Sequence, residues 1–428
     1  MLSECNVIRQ PNQTLGIYEY MESKEQEYTR FEPQRVRRIF AKLQHHLQLS
    51  SFNIHIIGTN GKGSTGRFIA QSLFESGYHT LHFTSPHLFD FTERFYVDDS
   101  IVDLQELEKA HLFLQQFDFI NEASYFEYAT FLAFVLAGKC DFLIMEAGVG
   151  GEYDSTSVLD YDITVFTRIG IDHKDLLGKD LQDIAITKIR AAQGEIFVHF
   201  QEDCVLQMFA NLSSILNGDG ANVVDTQIGA VHYLSENDIM RQEIQCAAQQ
   251  YHFPIFLQEN LALANLVIEH ISKYRANAHL TCLPLKLRGR CEILNNHIML
   301  DVGHNEMAAK AVLYEMQKFS NTERFILVYN SYKGKEVLEI LQIFRFYIEK
   351  IVIFEVDNPR ILEQQLMMEI INGLNIKCEL FTLSEQAMQS PKHLIESKIG
   401  FLESTKKYLV FGSFSLVENF LLWYQSRV

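Results

Sequence analysis

The chain has 428 residues, of which 47% are hydrophobic, so it exceeds the size at which a single core stops growing and two domains are expected. Its 54 acidic residues outnumber its 37 basic ones, and the net charge of -17 argues against nucleic acid or an anionic membrane as a partner. The cysteines, Cys5 among them, form no C-x-x-C pair, the start MLSECNVIRQPNQ is too polar for a signal peptide, and no apolar stretch could span a bilayer, so we expect cytoplasmic localisation.

The first informative segment reads IIGTNGKGSTG and runs from Ile56 to Gly66. An apolar, β-branched run precedes it and apolar positions at helical spacing follow, which predicts a strand, a glycine-rich turn and a helix. Such a turn can aim backbone N–H groups at phosphate, while Lys62 adds a mobile charge and the Ser64 hydroxyl can reach Mg²⁺. The spacing fails the usual Walker A pattern, because two residues rather than four follow Gly58, and the alternative is a capping turn that binds nothing.

Further along, TLHFTS, DFLIMEAG and ITVFTRIG are predicted strands, and residues 104–117 and 126–137 are predicted helices. This alternation is typical of a parallel sheet with helices on both faces, whose ligands bind at the carboxyl ends of the strands. Glu146 ends one strand and is either a magnesium ligand or a surface acid before a glycine turn. Asp172 and His173 follow the next strand, but a single histidine is more often packed or exposed than a ligand.

The alternation restarts after a linker near Ala276, with predicted strands in HIMLDVG, RFILVYN, KIVIFEV, CELFTL and YLVFGS. We therefore expect an α/β protein with an N-terminal P-loop-type parallel sheet domain, residues 1–278, and a smaller C-terminal Rossmann-like α/β domain, residues 279–428. In the second half, DVGHN places Asp301, His304 and Asn305 in a loop that caps the next helix. A cleft between the two domains is the expected ligand site.

Taken in order, the motifs resemble those of the folylpolyglutamate synthases and bifunctional dihydrofolate synthases, within the Mur ligase superfamily of ATP-dependent amide-forming ligases. The phosphate loop of that family has the short form G-T-N-G-K-G-S, which is Gly58 to Ser64 here. The other matching segments are SPHL, YFEYAT, MEAGVGGEYDST, IGIDHKDLLG, ENLALA, RGR, DVGHN and LVFGSFSLV. The resemblance implies that residues 1–278 bind ATP and that residues 279–428 form the glutamate-ligase-type domain.

The resemblance also implies a role for each matching residue. The implied cofactors are ATP and two Mg²⁺ ions, and Lys188 matches a lysine that is carbamylated in the family. The implied catalytic residues are Lys62, Lys188 and His304, and the implied metal ligands are Ser64, Glu146 and His173. The implied ATP-binding residues are Thr59, Asn60, Gly61, Lys62, Gly63, Ser64, Asn260, Arg290 and Asp301. The implied substrate-binding residues are Ser85, Pro86, His87, Phe126, Asp154, His304 and Ser413.

The implied activity is the ligation of L-glutamate to dihydropteroate, to the tail of reduced folates, or to both, through an acyl phosphate. Because YFEYAT resembles the bifunctional form, we favour dihydrofolate synthase activity in a monomeric enzyme without nucleic-acid or membrane partners. Four positions depart from the family pattern: Glu152 replaces an arginine, Ser157 an amide, Gly303 an alanine, and Gly334, before Lys335, an acid.

Three alternatives compete with this interpretation. The first is a Mur-type ligase that acts on another carboxylate, although the longer nucleotide-sugar domain expected for such enzymes is not evident. The second is a nucleotide-binding protein that has lost ligase activity, with Glu152 as the sign of the loss. A P-loop kinase or GTPase fails on the lysine-glycine-serine spacing.

Overall fold

The computed structural model describes residues 15–24, 32–216, 228–320, 324–382 and 402–426. The N-terminal segment MLSECNVIRQPNQ and Cys5 lie outside these residues. Among the helices of the described ranges, none combines the length and the apolar character that crossing a membrane requires.

Two β-sheets organise the chain. The larger has eight strands in the order β4-β3-β2-β5-β1-β6-β7-β8, and the smaller has six in the order β13-β12-β11-β14-β10-β9. The strands of the larger sheet are β1 (Phe52–Ile57), β2 (Thr80–Phe83), β3 (Phe95–Val97), β4 (Ser100–Ile101), β5 (Phe142–Glu146), β6 (Ile163–Phe166), β7 (Gly194–Val198) and β8 (Ile228–Tyr233). Those of the smaller are β9 (Glu292–Leu294), β10 (Ile298–Asp301), β11 (Phe325–Tyr329), β12 (Ile348–Phe354), β13 (Cys378–Phe381) and β14 (Tyr408–Phe411).

The helices of the first half precede, connect and follow the strands of the larger sheet. They are α1 (Ile17–Glu22), α2 (Pro33–Leu43), α3 (Lys62–Glu75), α4 (Leu104–Leu114), α5 (Tyr125–Leu136), α6 (Lys174–Leu177), α7 (Leu181–Ile189), α8 (Asp203–Ala210), α9 (Leu212–Leu216), α10 (Glu236–Ile239), α11 (Gln242–Tyr251) and α12 (Ile255–Ser272). The second half adds α13 (Glu306–Phe319), α14 (Val337–Phe344), α15 (Gln364–Gly373) and α16 (Phe414–Gln425).

Helices cover both faces of the larger sheet, as the alternation predicted. Along β5, Leu143 and Met145 pack into the core formed with α5, whereas Phe142 and Ile144 pack into the core formed with α3 and α12. From β2 to β8 the neighbouring strands pair in parallel. The sheet is not wholly parallel, because β3 and β4 extend its edge in antiparallel pairing.

The smaller sheet is likewise covered on both sides. Its strands from β13 to β10 are parallel, and β9 adds an antiparallel edge. Along β11, Leu327 and Tyr329 pack with α13, α14 and α15, while Ile326 and Val328 pack on the side of α16. The fold is therefore the α/β class expected from the sequence, and its two parts are a larger and a smaller parallel-dominated sheet.

Between α12 and β9, residues 273–291 contain neither helix nor strand and run alongside α3. Gln71 Nε2 donates to the Pro284 carbonyl at 3.1 Å, and Arg67 Nη1 donates to the Lys286 carbonyl at 2.5 Å. Gly289, by contrast, is bonded to the smaller sheet, since its carbonyl accepts from the Val302 backbone N–H at 3.1 Å. The domain bounds 1–278 and 279–428 stay a prediction.

Candidate active site at the cleft between the two sheets

The glycine-rich loop leaves the carboxyl end of β1, which lies at the centre of the larger sheet. Gly61 adopts the left-handed conformation at φ 92° and is the N-cap of α3, so the first helical N–H groups face the cleft. A Cβ at this position would lie 2.7 Å from Asn260 Oδ1 of α12, an approach that only glycine permits. The strand, turn and helix predicted from the sequence are therefore present.

Glu146 and Lys62 face each other beside this loop. Glu146 ends β5, next to β1, and its Oε1 lies 3.9 Å from Lys62 Nζ. Its Oε2 accepts a short hydrogen bond from the Thr84 hydroxyl and a longer one, at 3.3 Å, from the Ser85 backbone N–H. Burial raises the pKa of this carboxyl, because a charged oxygen loses its hydration there. The site thus holds a buried acid that a cation would stabilise in its ionised form.

Lys188 is buried beneath the loop, on α7. Its Nζ donates to the Val149 carbonyl at 2.7 Å and to the Gly58 carbonyl at 3.1 Å. Burial, reinforced by the neighbouring charge of Lys62, lowers the pKa of the amine to about 7. A substantial fraction of this lysine is therefore neutral, and hence nucleophilic, near neutral pH.

His173 lies in the same cleft, at the start of α6, with φ at 49°. Burial lowers its pKa to about 3, so the imidazole is neutral and can donate a lone pair to a metal ion. The single histidine that the sequence left ambiguous is therefore placed beside the phosphate loop and in a state suited to ligation.

The smaller sheet contributes the opposite wall of the cleft. Asp301, at the end of β10, accepts hydrogen bonds from the backbone N–H groups of Gly303 at 2.8 Å and Cys291 at 3.0 Å. Burial raises the pKa of this carboxyl. Arg290 also lines the cleft, and its guanidinium lies 5.6 Å from the Phe414 ring centroid.

Direct contacts join the two walls. The side-chain amides of Asn60 and Asn305 exchange two hydrogen bonds, both of 3.0 Å, and Asn305 Nδ2 also donates to Asp172 Oδ2 at 3.2 Å. Burial would raise the pKa of Asp172, but His304 and the short ion pair with Lys335 hold it well below its usual range. The loops after β1 and β6 therefore contact the loop before α13 directly.

The cleft has a volume of about 630 Å³. It collects most of the residues predicted to bind ATP, metal or substrate, namely Thr59, Asn60, Gly61, Lys62, Gly63, Ser64, Ser85, Pro86, Glu146, His173, Lys188, Asn260, Arg290, Asp301 and His304. Phe126 and Asp154 instead line a neighbouring cavity of about 70 Å³, which shares Val149 and Leu177 with the cleft.

Two predicted substrate-binding residues line neither cavity. His87 Nδ1 pairs with Arg94 Nε at 2.9 Å. Ser413 is fully buried as the N-cap of α16, where its Oγ accepts from the Leu416 N–H at 3.0 Å and donates to Asn330 Oδ1 at 2.6 Å. Neither residue is brought to the cleft in this conformation.

Three of the four departures from the family pattern, Glu152, Ser157 and Gly303, have local structural explanations. Glu152 lines neither cavity, because its buried carboxylate lies 3.5 Å from Arg190 Nη1, and Arg37 donates to its carbonyl at 3.3 Å. Ser157 donates to the Gly151 carbonyl at 2.8 Å and so fixes the same loop. At Gly303, an alanine Cβ would lie 2.7 Å from both Ala308 Cβ and Phe411 Cε2. The reversed charge is thus neutralised within the protein and does not face a ligand.

The cleft also contains charged residues that the sequence reasoning missed, among them Arg168, Glu259 and Arg360. Arg168 Nη2 contacts both carboxylate oxygens of Glu259 at 3.0 Å. Arg168 lies two residues beyond the end of β6, so its place after a strand was a signal. Arg360 lies in a loop without such a signal.

Comparison with known proteins agrees with this geometry. The model of the Mur ligase middle domain matches residues 56–296. The crystal structure of Helicobacter pylori folylpolyglutamate synthetase is 32% identical, with a TM-score of 0.72, over 97% of this chain and 100% of that chain. A dihydrofolate synthase/folylpolyglutamate synthase of Buchnera aphidicola is 28% identical over 90% of this chain and 91% of its own length.

A Yersinia pestis bifunctional folylpolyglutamate synthase/dihydrofolate synthase, solved with AMPPNP and Mn ion, shares the fold at 21% identity, with a TM-score of 0.73 over 97% of this chain and 100% of that chain. The family model spans more than half of the sequence, and the Helicobacter pylori relative is similar along its whole length. The chain therefore belongs to the Mur ligase family, among the folylpolyglutamate synthases and dihydrofolate synthases.

Proposed function

We propose that this protein joins L-glutamate to dihydropteroate, to the glutamate tail of a reduced folate, or to both, and converts ATP to ADP and phosphate. One observation carries the proposal: Lys62, Ser64 and Glu146 from the larger sheet share a single cleft with Asp301 and His304 from the smaller sheet. A ligase needs such a shared site, because nucleotide, acid and amine must meet in a space from which water is excluded.

The residues beside the phosphate loop fit a divalent metal ion. Glu146 is a buried carboxylate whose ionised form needs a cation, Ser64 offers a hydroxyl, and His173 a neutral imidazole. When bound there, the metal would neutralise charge on the ATP phosphates. Two ions and ligation by these three residues belong to the proposal.

In the proposed reaction, a carboxylate of the pterin substrate attacks the γ-phosphate of ATP and forms an acyl phosphate with release of ADP. Lys62 and the N–H groups at the start of α3 stabilise the charge that spreads over the transferred phosphoryl group. The neutral amine of glutamate then attacks the acyl carbonyl, an amide forms, and phosphate leaves. His304 and Arg290, from the smaller sheet, position glutamate and nucleotide, and the contact between Asn60 and Asn305 closes the cleft against water.

We further propose that Lys188 is carbamylated. The lowered pKa of its buried amine supports this, because only the neutral amine adds to CO₂. The carbamate would replace a cation with an anion next to the charge of Lys62 and help hold a second metal ion. Since one chain supplies both walls of the cleft, the enzyme is proposed to act as a monomer, and we place it in the cytoplasm.

The pterin is proposed to enter by the smaller cavity, where Phe126 offers an aromatic face for a flat ring. The oxygens of Asp154 are occupied by its own loop, since Oδ2 accepts from the Val149 and Gly150 N–H groups at 3.1 and 2.9 Å. Asp154 therefore acts on the substrate by shaping this loop.

The test is phosphate release with Mg-ATP and L-glutamate, measured with 7,8-dihydropteroate, with tetrahydrofolate and without pterin. Turnover with dihydropteroate that Lys62→Ala abolishes and Lys109→Ala preserves would support the synthase activity, because Lys109 is an exposed lysine outside the cleft. Turnover with tetrahydrofolate alone would restrict the enzyme to tail extension. Phosphate release that needs no glutamate, or none with either pterin while ATP binds, would refute the proposal.

A further inference from the structure

Three side chains of types that bind metal ions converge at the β8 edge of the larger sheet, outside the cleft. They are Glu195 on β7, His232 on β8 and His270 near the end of α12, and one ligand atom from each lies within 4.8 Å of the other two. His270 is ten residues beyond Asn260 on the same helix, a distance of about 15 Å along its axis. The cluster is therefore separate from the nucleotide site.

The fold itself brings these residues together. β7 and β8 pair in parallel with Phe197 opposite His232, so Glu195, Phe197 and His232 face the same side of the sheet. Helix α12 covers that side, and the His270 ring lies 5.5 Å from the Phe197 ring. The His232 ring stacks on Phe197 at 4.7 Å. The Phe197 ring thus packs against both imidazole rings.

The polar atoms of the cluster are only partly satisfied. Glu195 Oε2 pairs with His232 Nε2 at 2.9 Å and accepts from the Ala230 N–H at 3.2 Å. His270 is 8% exposed, and its Nδ1 has no hydrogen-bond partner among the described residues. A buried imidazole nitrogen without a partner is costly in a protein interior, and a metal ion bound by this nitrogen would supply the missing interaction.

The donor set selects the type of ion. Two imidazoles and one carboxylate are ligands that Zn²⁺ accepts with water in the fourth position, whereas Mg²⁺ and Ca²⁺ prefer oxygen alone. In tetrahedral zinc sites the donors lie about 3.4 Å apart, as bond lengths near 2.0–2.1 Å require. The side chains of His232 and Glu195 are 34% and 29% exposed, so they can change rotamer and bring their ligand atoms to this spacing. The same exposure leaves room for the ion and a water molecule.

We propose that Glu195, His232 and His270 form a binding site for Zn²⁺ or a similar divalent transition-metal ion. The ion would tie the edge strand β8 to α12, whose other end carries Asn260 in the nucleotide cleft. The ion would hold β8, which among the described strands pairs only with β7, against the helix, and this role is independent of the proposed ligase activity.

The experiment is a calorimetric titration of the untagged full chain with Zn²⁺ in excess Mg²⁺ and without ATP. We expect one Zn²⁺ per chain and a rise in melting temperature on binding. His232→Ala and Glu195→Gln should each weaken the affinity at least about tenfold, since even the loss of an outer-shell partner costs that much. Glu195→Gln retains an acceptor for the Ala230 N–H, and His232 is partly exposed, so both variants are expected to fold.

The matched control is His79→Ala, which removes an exposed histidine that pairs with Asp98 at 2.9 Å and belongs to no three-ligand cluster among the described residues. It should leave Zn²⁺ binding unchanged. The titration is repeated with the Glu146→Gln variant. Zn²⁺ that binds in the cleft should be lost in this variant, whereas Zn²⁺ that binds at the proposed site should remain. Absence of stoichiometric binding in excess Mg²⁺, or equal affinity in His232→Ala and the unaltered chain, would overturn the proposal.

Discussion

Substituting Asn305 by aspartate tests whether the contact between the two sheets controls closure of the cleft. Asn305 Oδ1 caps α13 by accepting from the Ala308 N–H at 3.0 Å, and aspartate preserves this role. The side chain loses its Nδ2, which donates to Asn60 and Asp172. Asn305→Asp therefore changes the contact between the sheets and spares the helix cap.

The magnitude follows from these contacts. Two lost hydrogen bonds are worth about 1 kcal/mol each. A new carboxylate close to Asp172 adds repulsion of up to about 4 kcal/mol at an effective dielectric constant of 20, which the charge of Lys335 partly cancels. A net cost of about 2–4 kcal/mol corresponds to a decrease of roughly 30- to 700-fold in the closing equilibrium.

The assay is kcat/KM for pterin-dependent phosphate release, with thermal unfolding measured in parallel. Asn305→Ser is the control without added charge, because it keeps a capping hydroxyl and loses the three hydrogen bonds with Asn60 and Asp172, about 3 kcal/mol. Adding Asp172→Asn to Asn305→Asp should recover about tenfold by restoring a donor and an acceptor. If Asn305→Asp keeps its activity within about threefold, or if adding Asp172→Asn recovers none of the loss, the electrostatic reasoning is wrong.

Three further predictions concern residues in and near the cleft. Glu152→Arg puts a second guanidinium against Arg190 in a buried site and should lower the free energy of unfolding in urea by about 3 kcal/mol, more than Glu152→Gln does; equal stability would contradict the ion pair. In Gly61→Ala, the alanine Cβ must be held at φ 92° against Asn260, at a cost of about 1–3 kcal/mol. The KM for ATP should therefore rise about tenfold, and an unchanged KM would argue against the loop geometry. Because the pKa of Lys188 is lowered from 10.5 to about 7, its neutral form grows as pH rises through 7. Enzyme depleted of CO₂ and bicarbonate should therefore regain activity faster at about pH 8 than at about pH 6 when both samples receive the same concentration of dissolved CO₂. Lys188→Ala should show no such recovery, and activity indifferent to bicarbonate would exclude carbamylation.

The same lowered pKa has a consequence for stability. The folded protein releases the Lys188 proton near pH 7, whereas the unfolded chain keeps it until about 10.5. Stability contributed by this group therefore rises between these pH values and is flat below the lower one.

The central strands could be predicted from the sequence because they are buried on both faces and read as continuous apolar runs. β1, β5, β6, β11 and β14 all lie within predicted segments. The edge hairpin of β3 and β4 was missed: its turn residues, Asp98 and Asp99, both have positive φ, a conformation usually signalled by Asn-Gly or Asp-Gly. β7 and β8 were also missed, and β8 is an edge strand whose residues are intermediate or exposed.

The candidate site was predicted from motifs that follow strands, and this worked where the chain runs directly from strand to cleft, as at Glu146 and Asp301. It worked less well where tertiary packing decides which way a side chain points. Ser413 follows β14 but turns inward to cap α16, and the sequence cannot distinguish a capping serine from one that faces a ligand. A local sequence pattern also cannot predict the ion pair between Glu152 and Arg190, because the two residues are far apart along the chain.

The course of residues 273–291 determines where the two halves can pivot. Backbone up to Lys286 is fastened to α3, and backbone from Gly289 onward is fastened to the smaller sheet, so free rotation is confined to Leu287 and Arg288. If the halves separate about these two residues, Arg290, which lies two residues beyond them, would move less than His304 and Lys335, which lie farther along the chain. The opened molecule should thus keep its arginine near the phosphates of a bound nucleotide while the glutamate side is exposed, which lets ATP remain in place as the amino acid exchanges.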